Sequence, residues 1–593
     1  MVKEEKMKIL LTCTSIDDAH RTETDHDSHY PLGLAYLHSY LNKHQPQHEI
    51  ETHFLNNVNW EICINKLREE MKSFQPDVVG ISMMTHSRRS AFKFIDYLTK
   101  NYPKVKIVLG GIHPTIMWKQ IANKYRNSVI VIGEGEITFG ELIECYEKNL
   151  PIDKIGGIVY YDGEKVFHTG ERGLIDDLDI LPPPKHDIFL FNGKTVANLL
   201  TSRGCPFKCN FCVLDHVSLK KVRYRSPSDI CDEVEQILEM CPSVQIIWLH
   251  DDAFMINKKL TVAICDEIIR RGIKTTFTCS ARFRPISRDL VKKMEEAGFT
   301  HVLFGLESGA NEVMKGMRKG INKNHIRYAV SLLAESNIKT TAFLIAGLPG
   351  ESEETVKETI DFVQELQSIN YLYYDDMGIC GIYPGAEVFD IAKEKKMMIP
   401  GYGPIDDDYW LTQGEVPVYE AENTEAQLLE WKEQIRDGVA FNRMRQNPQL
   451  FLKQRKLLPS VIKWSWQQNW LLKPMVEQII NQYNLLPEVI HKFFTNRRRE
   501  VILKISSIVE KTFMTELMKT MTIEEKQNFI SDYRKQLEED NKTLERWKTS
   551  KIPATDEYIK PVGEKVDKLI QMSESAARKE AQKKANPRLS VLA

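Results

Sequence analysis

Cys205, Cys209 and Cys212 stand in a C-x3-C-x2-C array inside Thr201-Ser-Arg-Gly-Cys-Pro-Phe-Lys-Cys-Asn-Phe-Cys212. Three thiolates on one tight loop can converge on a metal centre. Structural zinc and most iron–sulfur sites take four protein ligands. Three ligands from one loop leave one iron of a cubane cluster open to a substrate or cofactor. A zinc knuckle short of its fourth ligand is the plainer alternative; Phe211 and the downstream pattern favour the cluster. Such a loop needs a rigid support. Leu199-Leu200-Thr201 reads as the end of a strand, and Gly204 and Pro206 break regular structure after it.

The elements before the array alternate strand and helix. Strands are expected at Met7–Thr12, Glu49–Leu55, Asp77–Ser82, Val105–Gly111 and Ser128–Glu136, with helices between them and a last one at Thr138–Lys148. That alternation predicts a Rossmann-like, doubly wound parallel sheet. Ligands of such sheets sit beyond the carboxyl ends of the strands, where Ser82, Gly110, Gly111, His113, Gly133 and Gly135 fall. A polar hairpin at 162–172 and the proline-rich stretch Leu174–Lys185 read as a linker. From Thr195 the alternation resumes, with strands expected at Val244–Leu249, Thr275–Cys279, His301–Leu306, Thr340–Ile345 and Asp376–Ile382. This predicts a parallel (β/α) barrel, with chemistry at the carboxyl ends of its strands. The fold class is α/β. The expected domains are 1–150, a linker 151–190, a barrel 191–423 and a helical region 424–593.

The cysteine array, with Phe211 before its last member, closely resembles the signature of the radical S-adenosylmethionine (radical SAM) enzymes. The resemblance covers roughly residues 1–440. It implies a partial, six-unit barrel and a [4Fe–4S] cluster on Cys205, Cys209 and Cys212. SAM would chelate the open iron and be cleaved to a 5′-deoxyadenosyl radical. By the same resemblance Phe211 lies against SAM. Asp251 or Asp252 contacts its ribose or amino group, with Asp252 the residue chosen. Glu307 and Ser308 of Gly305-Leu-Glu-Ser-Gly309 face its ribose and carboxylate, Arg282 pairs with its carboxylate, and Gly347 of Ala346-Gly-Leu-Pro-Gly-Glu351 backs its adenine.

Pro31-Leu-Gly-Leu-Ala-Tyr36, Val79-Gly-Ile-Ser82, Gly110-Gly-Ile-His-Pro-Thr115 and Gly133-Glu-Gly-Glu136 together look like the cobalamin-binding domain of one branch of that family. The resemblance places cobalamin on Ser82, Gly110, Gly111, His113, Gly133, Glu134 and Gly135. Asp18-Ala-His20 resembles a cobalt-ligating loop, but Glu23 replaces its glycine, and a solvated histidine is the favoured reading. The branch implies an enzyme, foremost a C-methyltransferase acting on an unactivated carbon of a small molecule or peptide. Ring closure or rearrangement without methyl transfer is the rival, and a cobalamin or redox sensor the rival of another class. Flavodoxin or ferredoxin would supply the electron. Asp406-Asp-Asp-Tyr-Trp410 would wall the substrate pocket or simply pack, with packing favoured.

The 593 residues exceed one core and carry a formal net charge of −2, which gives no pointer to nucleic acid. No apolar run reaches the ~18–20 residues of a membrane span, and the N-terminus does not read as a signal peptide. Eleven scattered cysteines match a reduced, cytoplasmic protein rather than a disulfide framework. The basic, aromatic stretch from Leu452 to Arg499 is expected to be helical. It could be a cap on the barrel, which is favoured, a surface for a large substrate, or a peripheral membrane contact.

Overall fold

The structure, a computed structural model, describes residues 6–14, 30–55, 60–190, 193–370, 372–373, 378–399, 403–405, 408–411, 416–432, 434–435, 528 and 531. Two compact units divide the chain, 1–432 and 433–593; both sheets and the cysteine loop belong to the first. His20 and the stretch 452–499 lie outside the described residues.

The first layer is a seven-stranded sheet. Its strands are β1 (Lys8–Thr14), β2 (Glu49–Leu55), β3 (Val78–Ser82), β4 (Lys106–Gly110), β5 (Ser128–Val131), β6 (Ile158–Tyr161) and β7 (Val166–His168), in the order β2-β1-β3-β4-β5-β6-β7. β1 to β5 are parallel and β6 and β7 antiparallel. Parallel strands are covered on both faces, so they read as apolar runs: Ile9–Thr14 and Val78–Ile81 are buried throughout. Helices Leu32–His44 and Glu136–Glu147 close one face through Leu34, Leu41, Phe139 and Leu142, packed on Ile9, Leu11 and Val108. Residues 158–168, expected in the linker region, instead extend this sheet and cover the edge of β5.

The second layer is a parallel sheet in the order β15-β14-β13-β12-β11-β8. Its strands are β8 (Val196–Leu199), β11 (Ile246–Leu249), β12 (Thr276–Ala281), β13 (Phe299–Glu307), β14 (Lys339–Ala346) and β15 (Leu372–Tyr373). Between β8 and β11 run β9 (Ser202–Arg203) and β10 (Arg223–Tyr224), a short antiparallel ribbon bracketing the cysteine loop. Within the expected last barrel strand, Asp376–Ile382, the described residues form the short β16 (Gly378–Ile379), which pairs with the end of β14; β15 lies ahead of it and pairs with the start of the same strand. Capped helices separate the strands. Ser226 accepts the Asp229 N–H ahead of Pro227, and Ser352 caps Glu353–Ile369.

Tyr409 and Trp410 return to the first sheet. Trp410 is fully buried, edge-on to Phe389 and under the Arg88 guanidinium at 4.9 Å. The described part of the Asp-Tyr-Trp stretch is therefore packing. Among the described residues no helix is long and apolar enough to cross a membrane.

Candidate active site

A cavity of about 410 Å³ opens where the carboxyl ends of β3, β4 and β5 meet the start of the cysteine loop. Of the residues expected there, Ser82, Gly110, Gly111, Gly133, Glu134 and Gly135 all line it. A β-carbon built on Gly33, Gly110 or Gly133 would meet no atom within 4 Å, so these three present bare backbone to open space. Gly111 is required for another reason. Its φ is +99°, and a β-carbon would lie 2.6 Å from the Met83 carbonyl oxygen. The wall is a cradle that side chains would fill, which suits a large flat ligand.

His113 is not part of that wall. It is fully buried, with Nδ1 3.2 Å from Thr85 Oγ1. Burial, helped by the nearby Arg88 charge, brings its imidazole down to about 3, so it stays neutral. Its place after a strand end suggested the cavity; the helical turn Ile112–Ile116 swings it into the core.

Glu134 reaches the cavity but is already bonded. Its carboxylate accepts from Arg203 at 3.1 Å, Arg223 at 2.7 Å and the Ile175 N–H at 2.8 Å. Burial would raise it, but the Arg223 bond and the Arg203 charge hold it below the usual carboxylate range.

The cysteine loop is fixed by the end of β11. Asp251 is buried and accepts from the Thr201 N–H at 2.7 Å, from Ser202 Oγ at 2.6 Å and from the Thr201 hydroxyl. Asp252 accepts the Gly204 N–H at 3.2 Å and lines the cavity, so it stands between cavity and loop. Gly204 has φ +101°, and a β-carbon there would fall on the Lys221 carbonyl oxygen. Within the loop the Cys212 N–H donates to the Cys209 carbonyl at 3.1 Å, and Ser218 Oγ holds the Cys205 carbonyl at 3.2 Å. Burial pushes the Cys212 thiol up to about 11 and raises Cys205 as well, so thiolate ligation needs the positive field of a bound metal.

A lone zinc ion would draw its sulfurs to about 4 Å from one another. Among the described residues, the trio of such ligands gathered within 4.8 Å is Glu51, His53 and Glu70, on β2 and its neighbouring helix. Cys205, Cys209 and Cys212 are all free thiols on the loop. Phe211 is half-buried in the loop.

Arg282, just past β12, reaches the same loop. Its guanidinium lies 3.6 Å from the Phe207 ring centroid, 3.8 Å from Cys209 Sγ, and donates to the Lys319 carbonyl. Glu307 ends β13 with φ +65° and takes the Lys319 ammonium at 2.6 Å in a buried pair. Ser308 is buried away from the loop, against Thr359 Oγ1 at 3.1 Å. Gly347 donates its N–H to Glu351, and Leu428 packs 2.9 Å from where its β-carbon would be. Arg282 thus joins the cysteines directly and Glu307 follows through Lys319, whereas Ser308 and Gly347 hold neighbouring turns.

Sequence reading missed Arg203, Arg223 and His250, all on the cavity wall, and Lys319; Tyr36, from the Pro31–Tyr36 motif, lines the wall too. Arg203 sits inside the cysteine stretch and was there to be noticed; Arg223 and Lys319 carry no local signal.

Residues 199–363 match the radical SAM superfamily model and residues 22–143 the B12 binding domain model. An uncharacterized methyltransferase of Pyrococcus horikoshii is 28% identical over 375 residues, 62% of this chain and 80% of that protein. The anaerobic magnesium-protoporphyrin IX monomethyl ester cyclase of Cereibacter sphaeroides is 29% identical over 383 residues, covering 61% of this chain and 62% of the cyclase, under two thirds of its length. In fold the chain is similar to the cobalamin-dependent S-adenosylmethionine radical enzyme OxsB with aqua-cobalamin bound, at TM-score 0.61 and 18% identity over 90% of this chain and 84% of that one. It is also similar to the radical S-adenosylmethionine methyltransferase TsrM of Kitasatospora setae, at TM-score 0.54 and 18% identity over 68% of this chain and 78% of that one.

Proposed function

Because the chain belongs to the cobalamin-dependent radical SAM enzymes, we propose that it methylates an unactivated carbon of a small molecule, with a peptide as the larger alternative. Its cofactors are a [4Fe–4S] cluster, S-adenosylmethionine and cobalamin. When bound, they supply a reductively generated carbon radical and a transferable methyl group.

Cys205, Cys209 and Cys212 would hold the cluster. Ser82, Gly110, Gly111, Gly133, Glu134 and Gly135 would hold cobalamin, the glycines admitting it close to the backbone. Asp252, Arg282, Glu307 and Phe211 would contact SAM, with Ser308 and Gly347 supporting them by fixing neighbouring turns. The residues' task is placement and exclusion of water. Residues 1–150, extended by the hairpin to 168, would form the cobalamin domain. Residues 191–423 would form the radical SAM barrel; the helical region expected over 424–593 lies largely outside the described residues. Flavodoxin or ferredoxin in the cytoplasm would deliver the electron.

What carries the reading is one cavity shared by the glycine-rich strand ends and the base of the three-cysteine loop. The test is anaerobic reconstitution with iron, sulfide and cobalamin, followed by a reductant and SAM. Corrin and cluster bands should appear together, and 5′-deoxyadenosine should be released. Alanine at any one of the three cysteines should abolish that release. Corrin bands that never appear, or release that survives the cysteine changes, would defeat it. The likeness to the cyclase supports a second reading, ring closure or rearrangement; a product lacking the added methylene would select it.

A further inference from the structure

The ribbon that carries the cysteine loop pairs Arg203 directly with Arg223. Like charges facing each other across a ribbon destabilise it. These two have side chains only 16% and 5% exposed, so water does little to screen them. Both compensating carboxylates come from the segment after β5, Glu134 from the connection beyond the strand and Glu136 from the first residue of the helix Glu136–Glu147. Glu134 spans the pair, with Oε1 3.1 Å from Arg203 and Oε2 2.7 Å from Arg223. Glu136 Oε1 takes the second prong of Arg203 at 2.7 Å, and the same guanidinium lies 4.7 Å from the Tyr36 ring centroid. Two cations meet two anions, and the array is complete only when the ribbon and the segment after β5 both contribute.

All five of these side chains line the 410 Å³ cavity together with Gly204, the residue before Cys205. A molecule filling the cavity therefore presses on the groups that neutralise the ribbon. Removing the Glu134 carboxylate leaves the buried Arg223 guanidinium without its ion-pair partner at the base of the loop.

We propose that the ion-pair array of Glu134, Glu136, Arg203 and Arg223 couples the two cofactor sites, with Glu134 and Arg203 as positioning residues through which a filled cobalamin cavity stabilises the cluster loop. This rests on the cobalamin reading of the cavity. Ligand in the cavity restrains Glu134 and Arg203, so the loop loses less freedom when it closes on iron. Linkage makes the effect reciprocal: the cluster tightens cobalamin by the factor that cobalamin tightens the cluster.

The experiment measures iron release to a chelator from the reconstituted full chain with and without cobalamin, and cobalamin affinity with and without the cluster. Both ratios should be at least about fivefold in the unaltered chain. In Glu134→Gln both should fall towards one. Arg203→Lys, which keeps the charge and loses the fork, serves as a second variant and should lower them too. A residue that merely supports the fold would weaken each site without changing the ratios. Cobalamin bound by the unaltered chain with no effect on iron release would overturn the coupling, as would both variants retaining the full factor. An unaltered chain that binds no cobalamin would overturn the coupling and the cobalamin reading together.

Discussion

Gly204→Ala is the sharpest probe of the cysteine loop, because two independent costs fall on one methyl group. The first is conformational. At φ +101° an L-residue is strained by about 1–3 kcal/mol. The second is steric. The new β-carbon would fall on the Lys221 carbonyl oxygen and lie 3.0 Å from Ser218 Cβ. Lys221 is backbone at the foot of the ribbon, so relief requires the loop itself to shift; overpacking of this kind costs about 1–3 kcal/mol. The sum, about 2–6 kcal/mol, lowers the population of the cluster-ready loop by at least about 30-fold, at 1.4 kcal/mol per tenfold. The assay is iron content after anaerobic reconstitution and the rate of iron loss to a chelator. Circular dichroism monitors the rest of the fold. Gly173→Ala is the control, since a β-carbon there meets nothing within 4 Å and no positive φ opposes it. Wild-type iron content and release rate in Gly204→Ala would refute the reasoning.

Three further outcomes are expected from the same geometry. Gly110→Leu should fill open space in the cavity and weaken cobalamin binding at least about tenfold, with the melting temperature held; the binding titration and the melt check it. Lys319→Met should strand Glu307 as a buried lone carboxylate at a cost of about 3–5 kcal/mol, and Glu307→Gln added to it should recover much of that, both read by urea denaturation. Burial raises the Glu351 carboxyl to about 7, against the bonds from the Gly347 and Leu348 N–H groups. Between the unfolded value near 4.5 and pH 7 the unfolded chain releases a proton that the folded chain keeps, so stability is lost as pH rises through that window. Glu351→Gln should gain on the parent by up to about 3 kcal/mol by pH 8 and by nothing below about pH 4.5; parallel pH curves would contradict this.

Much of the scaffold was legible because parallel strands covered on both faces leave a plain trace. Ile107-Val-Leu109 and Val78–Ile81 are apolar runs ending in small residues, and those ends are where the cavity opened. The hairpin 158–168 was not legible as sheet, since its partner β5 lies across an intervening helix and its own residues are half polar. Side-chain direction was the other blind spot. His113 and Ser308 follow strand ends as ligand-binding residues do, yet the local backbone turns both inward. Glu134 was expected to face a cofactor, and its arginine partners, 69 and 89 positions away, have no signature in a local window. Arg282 was expected against a carboxylate; nothing in sequence spacing foretold its stacking on Phe207 beside Cys209.

The Trp410 indole has a consequence for how the protein is put together. Prising the two sheets apart to admit a corrin from above would pull that ring out from under Arg88 and away from Phe389. Extracting such a ring costs about 3–5 kcal/mol, so fewer than about one molecule in a hundred would stand ajar at any moment. The buried indole thus ties Arg88, beside the first sheet, to Phe389 of the helix Glu387–Glu394.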